Sequence, residues 1–376
     1  MTIDTTPIPV LLLVRELHIG GTERQVAIVA KHLDPKQFSV RVCCFRQGGI
    51  RQIELEAAGV PVWELPVRAF WSPASFAHAL SLRKYLIREN IAIVHSFSPA
   101  TTVFAVPIAR SAKVPVVLSS CRAERSLMRP RDAWLVRKTD RWVDGIIANC
   151  HYLRQALVSE SVPAELVTVC SNGVNLNEFF PGFEERPPTI GTTCVLRPEK
   201  GLPILIDAFA RISPRFPAAR LRIVGSGPLR ESLAQQAIQC GIGDTFELVA
   251  GAPQIGVDLR KLRIFVSPSL SEGLSNSLLE AMACGCTVVA SRAGGAAEVI
   301  RHNENGLLFD ISNTEQLASI LEMLLADRDW CLRLGQAASR TIREHFSAGN
   351  AAQQMQDAYF ASLARVQDSR PAVRSN

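Results

Sequence analysis

Short apolar runs alternate with longer segments of helical period along the whole chain, and these runs fall into two series. Such alternation is typical of βαβ units, in which a parallel sheet is buried on both faces. The first series of predicted strands comprises 10–14, 39–45, 60–64, 91–95, 116–119, 145–149 and 166–170. The second series comprises 189–196, 221–224, 246–249, 264–267 and 286–290. We therefore expect an α/β protein with two doubly wound sheets.

The 376 residues suit two domains at roughly 100–200 residues each. Between the two series, residues 177–188 contain three prolines and a glycine that interrupt any regular element, and we place the linker there. The predicted domains are 1–180 and 181–346. Residues from about 314 to 366 have the pattern of successive amphipathic helices. Ligands of open α/β sheets bind beyond the carboxyl ends of the strands, so two facing sheets would form a crevice there.

Composition narrows the class of protein. Apolar residues make up 47% of the chain, which excludes disorder. The net charge of +6 comes from the first half, because 1–180 holds 21 basic and 15 acidic residues (21 − 15 = +6) and the remainder holds 20 of each. Charged residues are only 20% of the chain and form no recognised nucleic-acid module, so we expect no nucleic-acid partner.

Cysteine spacing and the N-terminus indicate the compartment. The ten cysteines form neither a secretory disulfide framework nor paired C-x2-C zinc motifs, so we expect reduced and mostly buried thiols. The N-terminus has no basic n-region, and the apolar run 10–14 is far shorter than the ~20 residues of a membrane span. These features predict a soluble, cytoplasmic protein.

Two motifs place possible phosphate ligands after strands. Gly20-Gly21-Thr22-Glu23 follows the first strand and opens a helix, so backbone amides there can approach a phosphate. Arg197 and Lys200 precede a helix predicted over 202–212 and can clamp a diphosphate. A glycine turn that packs strand to helix, and a solvated basic turn, remain the alternatives. The dinucleotide fingerprint G-x-G-x-x-G is absent from the first motif, and in the run 225–230 Arg230 stands at the position of its last glycine. The main support for nicotinamide chemistry is thereby removed.

The most informative segment is 267–285, in which Glu272 follows a strand and Glu280 falls inside the next helix. Glu272 can reach a sugar ring above the helix N-terminus, while Glu280 can accept hydrogen bonds from ribose hydroxyls. The amides at the helix start can hold a diphosphate. The candidate donor-binding residues in this segment are Gly273, Leu274, Ser275, Asn276 and Glu280.

This segment resembles the E-x7-E signature of the retaining glycosyltransferases of family 4, which have the GT-B fold of two Rossmann-like domains facing a cleft. Other motifs match in order between residue 10 and about 345. They are Gly20 to Glu23, Asn172-Gly173-Val174-Asn175, Arg197 to Gly201, Gly225-Ser226-Gly227-Pro228, Gly294 to Glu298 and Asn305 to Phe309. An ordered series of motifs is far more specific than any one of them. The resemblance also implies that the last helix, about 347–366, packs back on the first domain.

The resemblance implies transfer of a sugar from a nucleoside diphosphate sugar with retained configuration. Glu272 would contact the transferred sugar, and Glu280 the ribose. Arg197 and Lys200 would bind the departing diphosphate, with Gly21 of the first domain and Gly225 also on the donor. Cations of the protein would stabilise the leaving group, so no metal and no cofactor are expected. The one D-x-D sequence, Asp327-Arg328-Asp329, falls among the tail helices and is interpreted as a helix start.

Two positions depart from the family pattern. Many members carry a histidine after the fifth strand, where this chain has Cys121 with Arg122 beside it, and the fourth-strand H-x-H is reduced to His95-Ser96-Phe97. Either His95 or Arg122 is a candidate to face the sugar, and a strand-end histidine with only structural partners is the alternative for His95. No base is paired with Cys121, so a cysteine nucleophile is not expected.

The basic excess is concentrated between residues 122 and 141, which hold seven basic and three acidic residues (7 − 3 = +4). Tryptophans interleave with the charges, a composition expected of a cationic segment lying on anionic lipid. The residues predicted to form this basic surface are Arg129, Arg131, Trp134, Arg137, Lys138 and Arg141. The alternative is a solvated helix whose tryptophans belong to the core.

We therefore expect a peripheral glycosyltransferase on the cytoplasmic face of the membrane, with UDP- or GDP-linked donors and a lipid-linked or cell-surface glycan acceptor. Two alternatives remain open. One is an epimerase or hydrolase of nucleotide sugars with the same fold, and the other is a catalytically silent sugar-nucleotide binding protein.

Overall fold

A computed structural model describes residues 6–70, 72–182, 186–251 and 254–368. The chain divides into two compact units, each treated by itself. Unit 1 comprises Met1–Gly173 together with Ala348–Asn376, and unit 2 comprises Val174–Ser347. Residues 1–5 of the N-terminus and residues 183–185 of the predicted linker lie outside the described residues.

Unit 1 is built on a seven-stranded parallel sheet with strand order β3-β2-β1-β4-β5-β6-β7. The strands are β1 (Ile8–Glu16), β2 (Phe38–Arg46), β3 (Val62–Glu64), β4 (Ile93–Ser96), β5 (Val116–Cys121), β6 (Gly145–Ala148) and β7 (Val167–Val169). The helices are α1 (Gly21–His32), α2 (Ile50–Ala57), α3 (Pro73–Arg88), α4 (Pro99–Ser111), α5 (Pro130–Thr139), α6 (His151–Ser159) and, from the end of the chain, α14 (Ala348–Asp368). The order reverses direction between β1 and β4, so the loops after these two strands part there and leave room for a ligand.

Unit 2 repeats the plan with a six-stranded parallel sheet of order β10-β9-β8-β11-β12-β13. The strands are β8 (Thr189–Thr193), β9 (Arg220–Val224), β10 (Phe246–Val249), β11 (Ile264–Ser267), β12 (Thr287–Ser291) and β13 (Leu307–Phe309). The helices are α7 (Leu202–Ile212), α8 (Arg230–Gln239), α9 (Ile255–Arg260), α10 (Asn276–Ala283), α11 (Ala296–Val299), α12 (Thr314–Ala326) and α13 (Arg328–His345). Here the reversal falls between β8 and β11.

Apolar strands explain both cores. In β1, Val10 to Val14 are all completely buried because helices cover both faces of the sheet. In unit 2 the amphipathic helix α7 buries Leu202, Leu205 and Phe209 against the strands. The strands therefore read as continuous apolar runs rather than as alternating patterns.

The chain leaves unit 1 after Gly173, ahead of the predicted linker. The backbone N–H of Val174 donates to the Phe346 carbonyl at 2.8 Å, and Val174 pairs with Ser347 in a bridge. Phe179 is 1% exposed, so residues that follow Val174 are anchored within unit 2. Helix α14 then returns to unit 1 and packs against α1.

The predicted α/β architecture is confirmed. Each predicted strand overlaps a strand of the structure, the helix predicted over 202–212 is α7, and the tail forms α12, α13 and α14. The ten cysteines are free thiols and eight of them are buried. In the part of the chain that the structure describes, no helix combines the length and apolar character needed to cross a membrane.

Candidate functional site

In unit 2 the candidate residues gather beyond the carboxyl ends of β8 and β11. These strands are sheet neighbours, with Ile264 opposite Ile190, so the loops that follow them lie side by side. Backbone contact links the loops directly, because the Leu270 N–H donates to the Glu199 carbonyl at 2.8 Å. The sequence predicted Lys200 and Glu272 separately, and the sheet order brings their loops together.

Lys200 and Glu272 meet in this position. The Lys200 ammonium donates to Glu272 Oε2, and the two side chains are about one-fifth exposed. The Ser269 hydroxyl donates to the same carboxylate oxygen at 3.1 Å. A cation and a hydroxyl therefore fix the orientation of the Glu272 carboxylate while leaving part of it accessible.

The backbone around Glu272 is held by the end of β12 and by the loop that follows it. The Ser291 hydroxyl donates to the Ser269 carbonyl at 2.5 Å, and the Gly295 N–H donates to the Gly273 carbonyl at 2.9 Å. Gly294 has a left-handed φ of +59°, and a Cβ there would collide with the Glu272 carbonyl. Only glycine allows this close approach.

The predicted donor-binding residues lie around the start of α10. Ser275 is its N-cap, whose hydroxyl accepts from the Leu278 N–H at 3.4 Å, and Asn276 is the first helical residue. Gly273 and Leu274 are buried just before the cap, and Glu280 is 3% exposed within the helix. The eight-residue helix thus directs amide N–H groups and its positive end toward the Glu272 loop.

Gly225 and Arg197 complete this edge of unit 2. Gly225 is buried after β9, where a Cβ would collide with the Cys194 carbonyl in the loop after β8. The Arg197 side chain is 61% exposed and its one ion pair among the described residues is a 3.9 Å contact with Glu199. Arg197 is therefore far less fixed than Lys200.

In unit 1 the ring of His95, on β4, is completely buried. Its Nδ1 hydrogen-bonds the Tyr359 hydroxyl at 2.8 Å and its Nε2 hydrogen-bonds the Ser120 hydroxyl at 2.9 Å. Burial, aided by the charge of Arg122, lowers the pKa of His95 to about 3. The ring is neutral at physiological pH and has no exposed atom, so contact with a sugar, for which His95 was a candidate, does not fit this geometry. Structural partners, the alternative for His95, account for both nitrogens.

Arg122 follows β5 and is half-buried. Its guanidinium donates to Asn172 Oδ1 and lies 5.8 Å from the centre of the Phe97 ring. Burial lowers the pKa of Arg122 to about 10, which leaves it charged at neutral pH. Cys121 is 7% exposed, and burial raises the pKa of its thiol to about 11. The thiol is therefore protonated and unsuited to nucleophilic attack.

The glycine motif of unit 1 lies at the start of α1, where Gly21 is exposed. The Glu23 carboxylate folds back over Gly20, since a Cβ on Gly20 would collide with it, and it accepts a hydrogen bond from its own backbone N–H. Burial raises the pKa of Glu23, and the nearby charge of Glu16 adds to this while that of Arg122 opposes it. A carboxylate thus lies against Gly20 at the helix start, while Gly21 is exposed.

The predicted basic surface lies on α5 and the turn after it. Trp134 is 56% exposed and Trp142 is 51% exposed, so the alternative that these tryptophans belong to the core is wrong. Arg129, Arg131, Lys138 and Arg141 are exposed, with Lys138 Nζ 5.6 Å from the Trp134 ring centre. Arg137 is exposed but pairs with Glu160 at 3.1 Å. Arg125, from the same stretch, is buried and pairs with Asp140 at 2.8 Å.

Asp327 of the D-x-D sequence is the N-cap of α13 and accepts from the Trp330 N–H at 2.8 Å, as its interpretation as a helix start requires. Within the described ranges, no group of three or more His, Cys, Asp or Glu side chains is placed to hold a metal ion.

Four partners of the site residues were not anticipated from the sequence. Ser120 is adjacent to Cys121 and Ser269 lies three residues before Glu272, and that proximity in the chain is the available signal. Asn172 opens the motif 172–175, which by itself indicates no role for its side chain. Tyr359 gave no local signal, because it reaches His95 from 264 positions away.

Comparison with solved structures identifies the fold. Anabaena HepE, solved in complex with UDP and glucose, superposes with a TM-score of 0.85 at 20% identity, covering 94% of this chain and 100% of that one. Two parallel sheets with flanking helices, matched over this extent, define the GT-B fold.

Two family models then match consecutive parts of the chain. The model "Glycosyltransferase Family 4" matches residues 19–178 and "Glycosyl transferases group 1" matches residues 175–341. Together they run through both units, so the chain belongs to glycosyltransferase family 4 and is a glycosyltransferase.

Curated relatives agree with this assignment. The GDP-mannose-dependent alpha-(1-6)-phosphatidylinositol monomannoside mannosyltransferase of Mycobacterium tuberculosis is 28% identical over 283 residues, which is 69% of this chain and 74% of the relative. The D-inositol 3-phosphate glycosyltransferase of Thermobispora bispora is 26% identical over 380 residues, 95% of this chain and 84% of the relative.

Proposed function

We propose that the protein is a retaining, metal-independent hexosyltransferase that moves a sugar from a UDP- or GDP-linked donor to a lipid-linked or cell-surface glycan acceptor. The observation that carries this proposal is the meeting of Lys200 with Glu272 beside the start of α10. A cation and a helix N-terminus can bind the diphosphate of a nucleoside diphosphate sugar. A carboxylate can accept a hydrogen bond from a hydroxyl of its sugar.

Unit 2 would bind the donor. Lys200 and the first amides of α10 would hold the diphosphate, Glu272 a hydroxyl of the transferred sugar, and Glu280 the ribose. Arg197 is exposed at the same edge of the sheet and would bind the phosphates once the donor is present. Gly225 allows the turn after β9 to lie close to the loop after β8. Unit 1 would bind the acceptor near Arg122, and Gly21 would offer amide groups to a phosphate.

Negative charge builds on the diphosphate as the bond between the anomeric carbon and the phosphate oxygen breaks. Preorganised cations and helix amides stabilise that charge, and this is expected to be the largest catalytic contribution. The acceptor oxygen forms the new bond on the same face of the sugar and its proton passes to the leaving phosphate oxygen. This route needs no histidine, which fits the buried, neutral ring of His95.

Relatives support both donor bases and an acceptor with a polar headgroup. HepE was solved with UDP, whereas the mycobacterial relative is named as GDP-mannose-dependent and acts on a phosphatidylinositol mannoside. Exposed Trp134 and Lys138 on α5 support a peripheral site on the cytoplasmic face of the membrane, where lipid-linked acceptors are found.

The test is to incubate the protein with single UDP- and GDP-sugars and a membrane lipid extract, with and without EDTA, and to identify products by mass. A glycosylated lipid that forms equally in EDTA supports the proposal. Free sugar without acceptor would indicate a hydrolase, and an altered sugar still attached to its nucleotide would indicate an epimerase. Binding at micromolar affinity without turnover would indicate a silent binding protein.

Variants of three glutamates locate the activity. E272Q should abolish most turnover while keeping nucleotide affinity, and E280Q should weaken nucleotide affinity about 10-fold or more because a charged hydrogen bond to the ribose is lost. E315Q is the matched control, since Glu315 is 80% exposed and pairs only with Arg211 among the described residues. Unchanged nucleotide affinity in E280Q would remove the ribose assignment.

A further inference from the structure

Arg122 and Arg125 both belong to the basic segment 122–141, but they differ in the groups that balance their charge. Arg125, 5% exposed, has two carboxylates within reach, Asp140 at 2.8 Å and Glu160 at 3.4 Å. Arg122 donates instead to the neutral amide of Asn172, and the structure shows no ion pair for it among the described residues. Even partial desolvation of a guanidinium without a carboxylate partner is costly. An anionic ligand would supply the missing charge.

The surroundings of Arg122 fix its position. Its guanidinium is held from one side by Asn172, which is 2% exposed, and lies over the Phe97 ring at 5.8 Å. The turn that carries Asn172 is itself tied to α1, because Gln25 exchanges hydrogen bonds of 2.8 and 2.9 Å with the backbone of Gly173. The guanidinium is therefore held in a fixed position, and Asn172 is its one hydrogen-bond acceptor among the described residues.

The charge of Glu23 raises the pKa of Arg122, yet Glu23 forms no hydrogen bond or ion pair with Arg122 in the described structure. Its carboxylate is occupied by its own backbone N–H and lies against Gly20. Glu23 thus moderates the positive field of Arg122 without neutralising it.

We propose that Arg122, positioned by Asn172 over Phe97, binds a phosphate group carried by the acceptor. The proposal rests on the glycosyltransferase function and on the assignment of the acceptor to unit 1, and it names the acceptor class as phosphorylated. A planar guanidinium suits a phosphate because two N–H groups can donate in parallel. The names of relatives that act on inositol phosphates agree with such an acceptor.

The same chemistry has a second source, the diphosphate of the donor, and the experiment separates the two. Binding of glycerol 3-phosphate, inorganic phosphate, UDP and GDP to the full chain is measured by calorimetry, which needs no turnover. R122Q should weaken glycerol 3-phosphate and inorganic phosphate on the order of 10- to 100-fold and change the affinity for the nucleotides less than 2-fold. R122K, which keeps the charge but not the fork, should recover part of the loss.

A matched control separates loss of this guanidinium from loss of a positive charge in general. K36Q, which removes an exposed positive charge in the turn between α1 and β2, should leave all affinities unchanged.

An R122Q variant that loses nucleotide affinity but not phosphate-ester affinity would assign Arg122 to the donor and overturn the proposal. Equal affinity of wild type and R122Q for every anion would also overturn it. Because these measurements need no transfer, failure to find a donor would refute the proposed function without deciding the role of Arg122. Circular dichroism of R122Q, with R122K as the folded reference, distinguishes lost binding from lost fold.

Discussion

The hydroxyl of Tyr359 hydrogen-bonds Nδ1 of His95 at 2.8 Å and joins two residues that are 264 positions apart in the sequence. Tyr359 is completely buried on α14, and His95 is completely buried on β4. The Ser120 hydroxyl occupies the other ring nitrogen at 2.9 Å, so the ring connects α14 to the strand that leads to Arg122. Helix α14 thereby supports the part of unit 1 that carries Arg122.

The buried ring makes stability depend on pH. The pKa of His95 is about 3 in the folded protein, whereas an unfolded chain has the ordinary histidine value near 6.5. Below pH 6.5 the histidine binds a proton in the unfolded state but not in the folded state. The contribution of His95 to the free energy of unfolding is therefore fully present above pH 6.5 and is lost as the pH falls toward 3. The free energy of unfolding should fall by about 2 kcal/mol more in wild type than in H95Q between pH 6.5 and 5.

Urea denaturation at several pH values measures this difference, and carboxylates cancel because both proteins contain them. Y359F is the informative companion variant. It should be less stable at every pH by about 1–3 kcal/mol, because a buried nitrogen loses its partner, yet it should retain the dependence on pH. Parallel curves for wild type and H95Q would show that the ring is not held neutral in the folded state.

The hydrophobic pattern was sufficient to predict the fold, because each buried parallel strand is a short apolar run that can be recognised from its own residues. The same locality explains why the loops of Lys200 and Glu272 were predicted but their direct contact was not, since that contact depends on β8 lying beside β11. The link from Tyr359 to His95 depends on where a distant helix docks. No local pattern encodes such a partner.

Lys200 and Arg197 should contribute unequally to catalysis. Lys200 is held against Glu272, whereas Arg197 is 61% exposed with one weak contact to Glu199. A preorganised charge stabilises a developing anion more than a mobile one. K200A should lower kcat/KM about 100- to 1000-fold, and R197A about 10-fold or less, in initial-rate measurements with the preferred donor. Equal losses would mean that Arg197 becomes as fixed as Lys200 once the donor binds.

Gly294 is expected to be irreplaceable in the active fold. Alanine there combines a left-handed backbone at φ +59° with a collision against the Glu272 carbonyl. G294A should lower the free energy of unfolding by about 2–4 kcal/mol and displace the loop that carries Glu272. G241A is the matched control in unit 2, because Gly241 has φ +72° but open space around the site of a Cβ, and it should cost only about 1 kcal/mol. Thermal melts with activity assays compare them, and equal stability of the two variants would contradict the close-approach argument.

The sequence could not predict whether Trp134 and Trp142 are exposed. Basic residues flank both tryptophans in the chain, and this holds for a buried and for an exposed side chain alike. In α5, Ala133 and Val136 face the core and Trp134 faces outward. A large exposed aromatic side chain among cations is the arrangement that anchors a protein to the headgroup region of anionic lipid.

Binding to anionic vesicles should therefore weaken stepwise as this surface is altered. Each basic residue near a membrane surface contributes about 1 kcal/mol, so K138Q and R131Q should each lower the partition coefficient roughly 5-fold at low salt. W134S should lower it further because an apolar anchor is lost, and added salt should weaken binding of the wild type. Cosedimentation with phosphatidylglycerol vesicles measures this, and neutral phosphatidylcholine vesicles give the baseline.

K36Q carries the same change of charge at an exposed position elsewhere on unit 1 and should bind as wild type does. If K36Q and K138Q weakened binding equally, the attraction would come from net charge alone and the surface on α5 would have no special part in it.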